Sequence, residues 1–527
     1  MPTERLQDFL DQRAETTPAR TALIHENQRV SYARLKHMAD HTATRLMELG
    51  VRPGDRVMVL LDNSIATVAT LYGILKAGGI FILAHGGTKA PRLRYMLEDS
   101  GSVALITSHH KQQRIVTAVS GLGELRHIIW IDGAPTHAST APAASRDGLD
   151  WLEDVPGESN MPLVPNGSPD DIAALIYTSG STGSPKAIMC PHRSMIAAAG
   201  SIIQYLENDA NDIILNVLPL AFDYGLYQVL MSVMFGGTVI LETSFLYPAR
   251  MLEIIEREHV TGLPVMPTIL GTLLEQESLD LRNLSSLRYI TNTGAALPVS
   301  LIRRFRRKFP AVRFYSMFGL SECKRVSYLH PDYIDIRPGS VGRPMPGCQI
   351  VIADDRGFPV PPGEVGHLLV RGPHVMAGYW RDPELTAKVF HHDPAGDGVT
   401  LHTGDRFYYD RDGFMYFAGR GDDLLKVRGE RVSPLEIERA LLDCPGVMEV
   451  AVIGLPDEID GSLIEAHLAL ENGVELSERD IRRHCADRLE AHMQPARLHF
   501  HAVLPRSENG KIDKHALKQH QEMETVS

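Results

Sequence analysis

Through the first three-fifths of the chain, short apolar runs sized for buried strands alternate with longer stretches of helical character. RVMVLL (56–61) precedes SIATVATLYGILKAGG (64–79), a helical stretch that ends at a glycine pair. VALIT (103–107), HIIWI (127–131), DIAALIY (171–177), IILNVLPL (213–220), GTVIL (237–241) and LRYITN (287–292) continue the series. Strands this uniformly apolar are buried on both faces, so the alternation predicts α/β layers with largely parallel sheets. The most apolar long stretch, LPLAFDYGLYQVLMSVMFGGTVILE (218–242), is broken by Asp223 and three glycines. It reads as a buried helix running into a strand, not as a membrane span.

At 527 residues the chain exceeds what one core comfortably organises, so two or more domains are expected. Residues 132–170 are rich in Ala, Pro and Ser and read as a surface excursion. From about residue 345 the texture changes to short strands with Gly/Pro turns, as in CQIVIADDRGFPVPPGEVGHLLVRG and RFYYDRDGFMYFAGR. That pattern suggests a β-barrel-like subdomain. After Gly419 and Arg420 come a polar stretch, a helix in PLEIERALLDC, and strands in MEVAVIGLP and IEAHLALE. The last hundred residues therefore read as a compact α+β domain behind a linker.

The charge balance, 53 basic against 65 acidic residues for a net −12, argues against nonspecific binding to nucleic acid or acidic membranes. Five scattered cysteines with no CxxC pair suggest a reducing compartment and no structural zinc. The polar start, MPTERLQDFLDQRAE, lacks a signal-peptide core, so a soluble, cytoplasmic protein is expected.

Directly behind DIAALIY stands YTSGSTGSPK (177–186). Ordering such a run costs backbone entropy, which a bound ligand can offset. Backbone N–H groups and hydroxyls can converge on phosphate oxygens, with Lys186 adding full charge. The P-loop pattern GxxxxGK[ST] fails because Pro185 precedes Lys186 and Ala187 follows it; GxGxxG fails too. The segment is a phosphate loop of another kind or a linker. MFGLSEC (317–323) could stack a purine on Phe318, bond phosphate through Ser321 and hold Mg²⁺ with Glu322. LHTGD offers Asp405 to ribose hydroxyls, GRGDD offers Arg420, and LPRSENGKIDK exposes Lys511 in a turn.

Strand-YTSGSTGSPK, FGLSE, HTGD, GR-x-D and PRSENGK, in this order, resemble the adenylate-forming superfamily of acyl-CoA synthetases, adenylation domains and luciferases. The resemblance covers essentially the whole chain, from TPARTALI (17–24) onward. It implies a large N-terminal domain (1–419) of stacked α/β layers with the β-barrel-like subdomain, and a small mobile α+β C-terminal domain (420–527). It also implies MgATP-dependent activation of a carboxylic acid to an acyl-AMP, then rotation of the small domain and attack by a thiol. Thr178, Ser179, Gly180, Ser181, Thr182, Gly183 and Lys186 match the pyrophosphate-binding loop. Glu322 matches the Mg²⁺ ligand, Ser321 a phosphate-contacting hydroxyl, and Phe318 with Gly319 the turn beside adenine. Gly294 and Ala295 match the adenine-side loop, Asp405 and Arg420 the ribose contacts, and Asp422 the hinge. Lys511 matches the catalytic lysine that bridges carboxylate and α-phosphate. Gly429 falls in the loop lining the thiol channel. Ala84 and His85 stand where relatives usually carry a proline after the glycine pair.

By the same resemblance the acid pocket draws on Phe222, Asp223, Tyr224, Tyr227, Thr268, Asn292, Met317, Arg325 and Val326, which suggest a small or polar acid. Asp223 stands where amino-acid-activating relatives pair the substrate ammonium, so an amine-bearing acid is placed modestly ahead of a plain one. Asp223 could instead bond to backbone or to a residue such as Arg325. Without a carrier motif xGGxS in the sequence, the expected acceptor is phosphopantetheine on a separate carrier protein, with free CoA or an amine as alternatives.

Overall fold

The computed structural model describes residues 4–519 except 133–146, 149–166, 179–184, 244, 246, 277–278, 280–281, 295–296, 393–397, 421–424, 428–429, 458–460, 472, 490–492 and 508–509. Two large sheets carry the N-terminal part. One has eight strands in the order Gly378–Tyr379, Lys186–Pro191, Ile172–Thr178, Ile80–Leu83, Arg56–Leu60, Ala104–Thr107, His127–Trp130, Asp147–Gly148. It is parallel from Ile172–Thr178 onward and antiparallel at the Lys186–Pro191 end. The other has nine, in the order Arg343–Pro344, Ser327–Leu329, Arg313–Phe318, Tyr289–Asn292, Gly262–Val265, Ile213–Asn216, Thr238–Leu241, Thr21–His25, Gln28–Ser31. Its middle six strands run parallel, as the apolar runs predict.

Between them lie helices with no polar face. Ile65–Lys76 is buried except at Ala66, and Asp223–Phe235 is buried from Tyr224 to Val233. The stretch 218–242 is thus a buried helix running into the strand Thr238–Leu241. One continuous core takes side chains from both sheets and these helices. The strand expected over 213–220 stops at Asn216. There the side chain turns back, donating to Leu218 O at 3.1 Å and accepting from Leu218 N, and Pro219 follows. The surface excursion expected over 132–170 falls mostly outside the described residues.

Beyond residue 345 lies a five-stranded antiparallel sheet: Gln349–Ala353, Gly366–Arg371 and Val399–Tyr409, with Phe390–His392 and Met415–Arg420 sharing the far edge of the long strand. The C-terminal part is a three-stranded sheet of Val447–Asp457, Gly461–Leu470 and Arg497–His501. Strand alternation gives it two covered faces. Val450, Val452, Ala466 and Leu468 meet helices Pro434–Leu442 and Glu478–Ala486, while Ala451, Ile453 and Ala469 meet Leu504 and Leu517 of the tail. Among the described residues no helix is long and apolar enough to cross a membrane. All five cysteines are free and buried.

Candidate active site

The Gly/Ser/Thr run closes a hairpin. Thr178 pairs with Lys186 across antiparallel strands, so the run joins two paired strands of the eight-stranded sheet. Its base is pinned to the helix Ala90–Ser100: the Tyr95 hydroxyl donates to Pro185 O at 3.1 Å, and Tyr177 donates to Asp99 Oδ2 at 2.6 Å. Ser179, Gly180, Ser181, Thr182 and Gly183 lie outside the described residues, as do Ala295, Asp422 and Gly429.

Glu322 sits in the turn after the strand Arg313–Phe318 and accepts at Oε1 from the Tyr379 hydroxyl at 2.7 Å. Tyr379 belongs to the strand whose partners are Ile188 and Met189, two and three residues beyond Lys186. With the bond from Met376 N to Glu322 O at 2.9 Å, this ties the acidic turn of one sheet to the strand beside Lys186–Pro191 of the other. Burial, reinforced by the Glu322 charge, raises the Tyr379 pKa, so the phenol keeps its proton and serves as donor. The turn needs a glycine at 319: a Cβ there would strike Lys324 O and lie 2.9 Å from Arg325 Cα. Phe318 packs edge-on against Phe407, ring centroids 4.8 Å apart, and stacks on Phe417 at 5.9 Å.

The C-terminal part closes over this cleft. Ser433 Oγ donates to Ala418 O and Arg439 donates to Phe417 O, each at 2.8 Å. Asp405, nearly buried, lies in register with Arg420, whose Nε is 3.6 Å from Asp405 Oδ1. Lys511 reaches the same place: its Cε lies 4.0 Å from where a Cβ of Gly294 would stand. It is walled by protein yet still open to solvent at the cleft mouth. Loss of solvent lowers its pKa; Asp223 and Asp405 oppose that shift, and Arg420 adds to it. Lys511, Gly294, Asp223, Asp405 and Arg420, spread over nearly three hundred residues, therefore share one cleft.

Comparison with known proteins settles the family. An AMP-binding enzyme domain matches residues 10–380, and an AMP-binding enzyme C-terminal domain matches residues 436–511. The chain belongs to the AMP-binding enzymes. A feruloyl-CoA synthase from an Amycolatopsis species is 32% identical over 98% of this chain and 98% of its own length. Tyrocidine synthase 3 of Brevibacillus parabrevis is 29% identical over 99% of this chain, which spans only 8% of that synthase. Among solved structures, the anthranilate CoA ligase AuaEII in complex with anthranoyl-AMP superposes with a TM-score of 0.88. It is 28% identical and covered over 98% of its chain, against 99% of this one.

Within this AMP-binding enzyme, the residues expected to line an acid pocket cluster around the start of the helix Asp223–Phe235. Most of their polar atoms are spent internally. Tyr224 donates to Thr291, Asn292 Nδ2 to Val265 O at 3.3 Å, and the Tyr205 hydroxyl to Met317 Sδ at 2.9 Å. Val326 is fully buried, and Thr268 is half-buried in the helix Pro267–Leu274. Phe222 stacks on His85 at 5.7 Å, while His85 Nδ1 accepts from Gly87 N. His85 thus supports Phe222 and its own loop. It also lines a small cavity of about 40 Å³ with Asn63 and Pro219.

Arg325 points inward. It is buried, donates to Thr293 Oγ1, lies over the Tyr224 ring, and has no carboxylate partner among the described residues. Its Nε and the Tyr227 hydroxyl find no hydrogen-bond partner among the described residues either. Sequence reasoning missed the partner of Asp223, which is Lys324 and not Arg325. The Lys324 side chain is 2% exposed, with Nζ 3.5 Å from Asp223 Oδ2, 4.6 Å from the Tyr227 ring centroid and 5.5 Å from that of Tyr224. Its backbone is left-handed (φ 64°), the conformation that turns the side chain inward. Burial drives the Lys324 pKa down to about 7, Asp223 opposing and Arg325 adding to the shift. The one signal in the sequence is the adjacent Lys-Arg pair after the acidic turn.

Proposed function

We propose that the chain is an ATP-dependent, AMP-forming ligase that converts a short, polar carboxylic acid to its acyl-AMP and passes it to a phosphopantetheine thiol, on a carrier protein or on CoA. The observation that carries this reading is the convergence of Lys511 with Gly294, Asp405 and Arg420, together with a Glu322 that is tied through Tyr379 to the strand beside Lys186–Pro191. Bringing a carboxylate to a triphosphate joins two anions. The barrier falls when fixed cations stand where charge accumulates and the two reactants are held in line. In this reading Lys511 bridges the acid's carboxylate and the α-phosphate, and Lys186 holds the departing pyrophosphate. Glu322, a hard oxygen donor with one oxygen engaged by Tyr379, fits Mg²⁺; bound there, the ion neutralises phosphate charge. Departure of the small domain would then open a path for the thiol.

The pocket supports a narrower reading of the acid. Two of its polar groups without a partner among the described residues, Arg325 Nε and the Tyr227 hydroxyl, can donate, and Asp223 already faces the Lys324 side chain. A buried donor left unmatched is costly, so the distal group of the acid is an acceptor: hydroxyl, carbonyl or second carboxylate. This reading places the ammonium considered from Asp223 alone behind an acceptor. ATP–pyrophosphate exchange over matched short acids, unsubstituted, amino, hydroxy, keto and dicarboxylic, tests both levels. The expected result is at least about tenfold higher kcat/KM for an acceptor-bearing acid, the scale of one matched donor. An amino acid as best substrate overturns the acid class, and exchange with no acid overturns adenylation.

A further inference from the structure

The outer end of the C-terminal sheet holds a cluster unconnected to nucleotide chemistry. Glu465 and His467 alternate on the strand Gly461–Leu470, and Arg497, His499 and His501 alternate on Arg497–His501. The parallel register sets Glu465 beside Arg497 and His467 beside His499, so all five side chains share one face. Glu465 is 0% exposed and His467 1% exposed. Three of their atoms, Glu465 Oε2, His467 Nε2 and His499 Nε2, are buried without a hydrogen-bond partner among the described residues, and they converge within 4.8 Å of one another. His499 Nε2 is 3.2 Å and His467 Nε2 4.0 Å from Glu465 Oε2.

The remaining atoms of the cluster are tied down in the way that orients ligands. Arg497 donates to the other carboxylate oxygen, Oε1, at 3.0 Å, leaving Oε2 directed inward. His467 Nδ1 is hydrogen-bonded to His501 Nε2 at 2.9 Å, which fixes the ring and turns Nε2 to the centre. Across the sheet, His467 is paired with Ala451 and Glu465 with Ile453, so no polar group from the neighbouring strand competes. Three buried ligand atoms thus face one another with no hydrogen bond made among the described residues, an arrangement that a shared cation would satisfy.

We propose that Glu465, His467 and His499 form a binding site for a divalent transition metal ion, of the class that takes mixed imidazole and carboxylate ligands, such as Zn²⁺. Tetrahedral ligands of such an ion stand about 3.3 Å apart, so His499 Nε2 and Glu465 Oε2 already fit and the widest gap has to close by up to about 1.5 Å. Partly exposed His499 closes the site and leaves a coordination position toward solvent. No cysteine takes part, so the absence of CxxC does not bear on it. The ion would clip two strands whose shared face also carries Leu504 and Leu517, the residues that seat the tail bearing Lys511. The role is structural support of that seat, separate from the Mg²⁺ of the nucleotide site.

The test uses the tag-free full chain, stripped with chelator and dialysed against micromolar Zn²⁺ in excess Mg²⁺, with bound metal measured by mass spectrometry. Wild type should retain about one Zn²⁺ per chain, and His499→Ala and Glu465→Gln should bind at least about tenfold more weakly. Co²⁺ in place of Zn²⁺ should give visible bands of a four- or five-coordinate nitrogen–oxygen site, a readout that needs no variant to fold. Retention below roughly 0.2 equivalent by wild type, equal retention by folded variants, or a Co²⁺ spectrum identical to the hexaaqua ion each overturns the proposal.

Discussion

Lys324 and Asp223 form a mostly buried pair, Nζ to Oδ2 3.5 Å, with Lys324 inside and Asp223 still 23% exposed. The asymmetry matters. Asp223 can be hydrated from the pocket, whereas Lys324 depends on Asp223 and two tyrosine faces for compensation. Replacing Lys324 by Met keeps the volume and removes the charge. Acid kcat/KM in pyrophosphate exchange should fall about 10- to 100-fold, the scale of one charged donor, while the KM for ATP stays within about twofold. Adding Asp223→Asn should cost less in the Lys324→Met background than in wild type, because the two share one interaction. Additive losses would show that they act separately.

The same pair predicts a pH signature in stability. The folded-state pKa of Lys324, about 7, lies below its unfolded value, so between these limits the unfolded chain binds more protons. Stability from this group is fully present above the unfolded pKa and is lost as pH falls through the folded one. Between pH 7 and 9 wild type should gain about 2 kcal/mol relative to Lys324→Met. The check is the difference in thermal midpoint between the two proteins across that range. A difference that stays flat would mean Lys324 remains charged throughout.

Lys511→Ala should lower acyl-AMP formation by roughly two to three orders of magnitude, the scale of a lost oxyanion donor. Thioester formation from supplied acyl-AMP should change far less, since the resemblance gives that step to the other arrangement of the small domain. Single-turnover measurement of each half separates them. Equal slowing of both halves would contradict alternation.

What the sequence made legible follows from what is local. Alternating apolar runs marked the parallel layers, and Gly/Ser/Thr crowding marked the hairpin whose ends, Thr178 and Lys186, prove to be paired. The resemblance chose Lys511, Asp405, Arg420 and Gly294 as one set, and the geometry groups them. Lys324 was not legible because a lysine in a turn is ordinarily solvated; only a left-handed backbone at 324 and the missing Cβ at Gly319 turn it inward. The Glu465–His467–His499 cluster was hidden for another reason. Period-two spacing puts each pair on one face of its own strand, but the register between strands some thirty residues apart is set by tertiary packing. Tyr379, a tyrosine in a loop-like GYW stretch, gave no hint that its hydroxyl ends on Glu322.

That last contact can be tested without disturbing the fold. Tyr379→Phe deletes one oxygen and leaves the ring in its edge-on packing against Phe390, centroids 5.7 Å apart. Glu322 then loses the donor at Oε1 that fixes which oxygen faces the cleft. Groups that orient a ligating carboxylate are worth about 10- to 100-fold in metal affinity, so the Mg²⁺ concentration for half-maximal exchange should rise by that factor. Maximal exchange at saturating Mg²⁺ should recover to within about threefold, because no group touching phosphate or acid has been removed. Glu322→Gln, which alters the proposed ligand itself, should not recover at any Mg²⁺ concentration. If Tyr379→Phe leaves the Mg²⁺ dependence where it was, the hydroxyl braces the two sheets and does nothing for the metal.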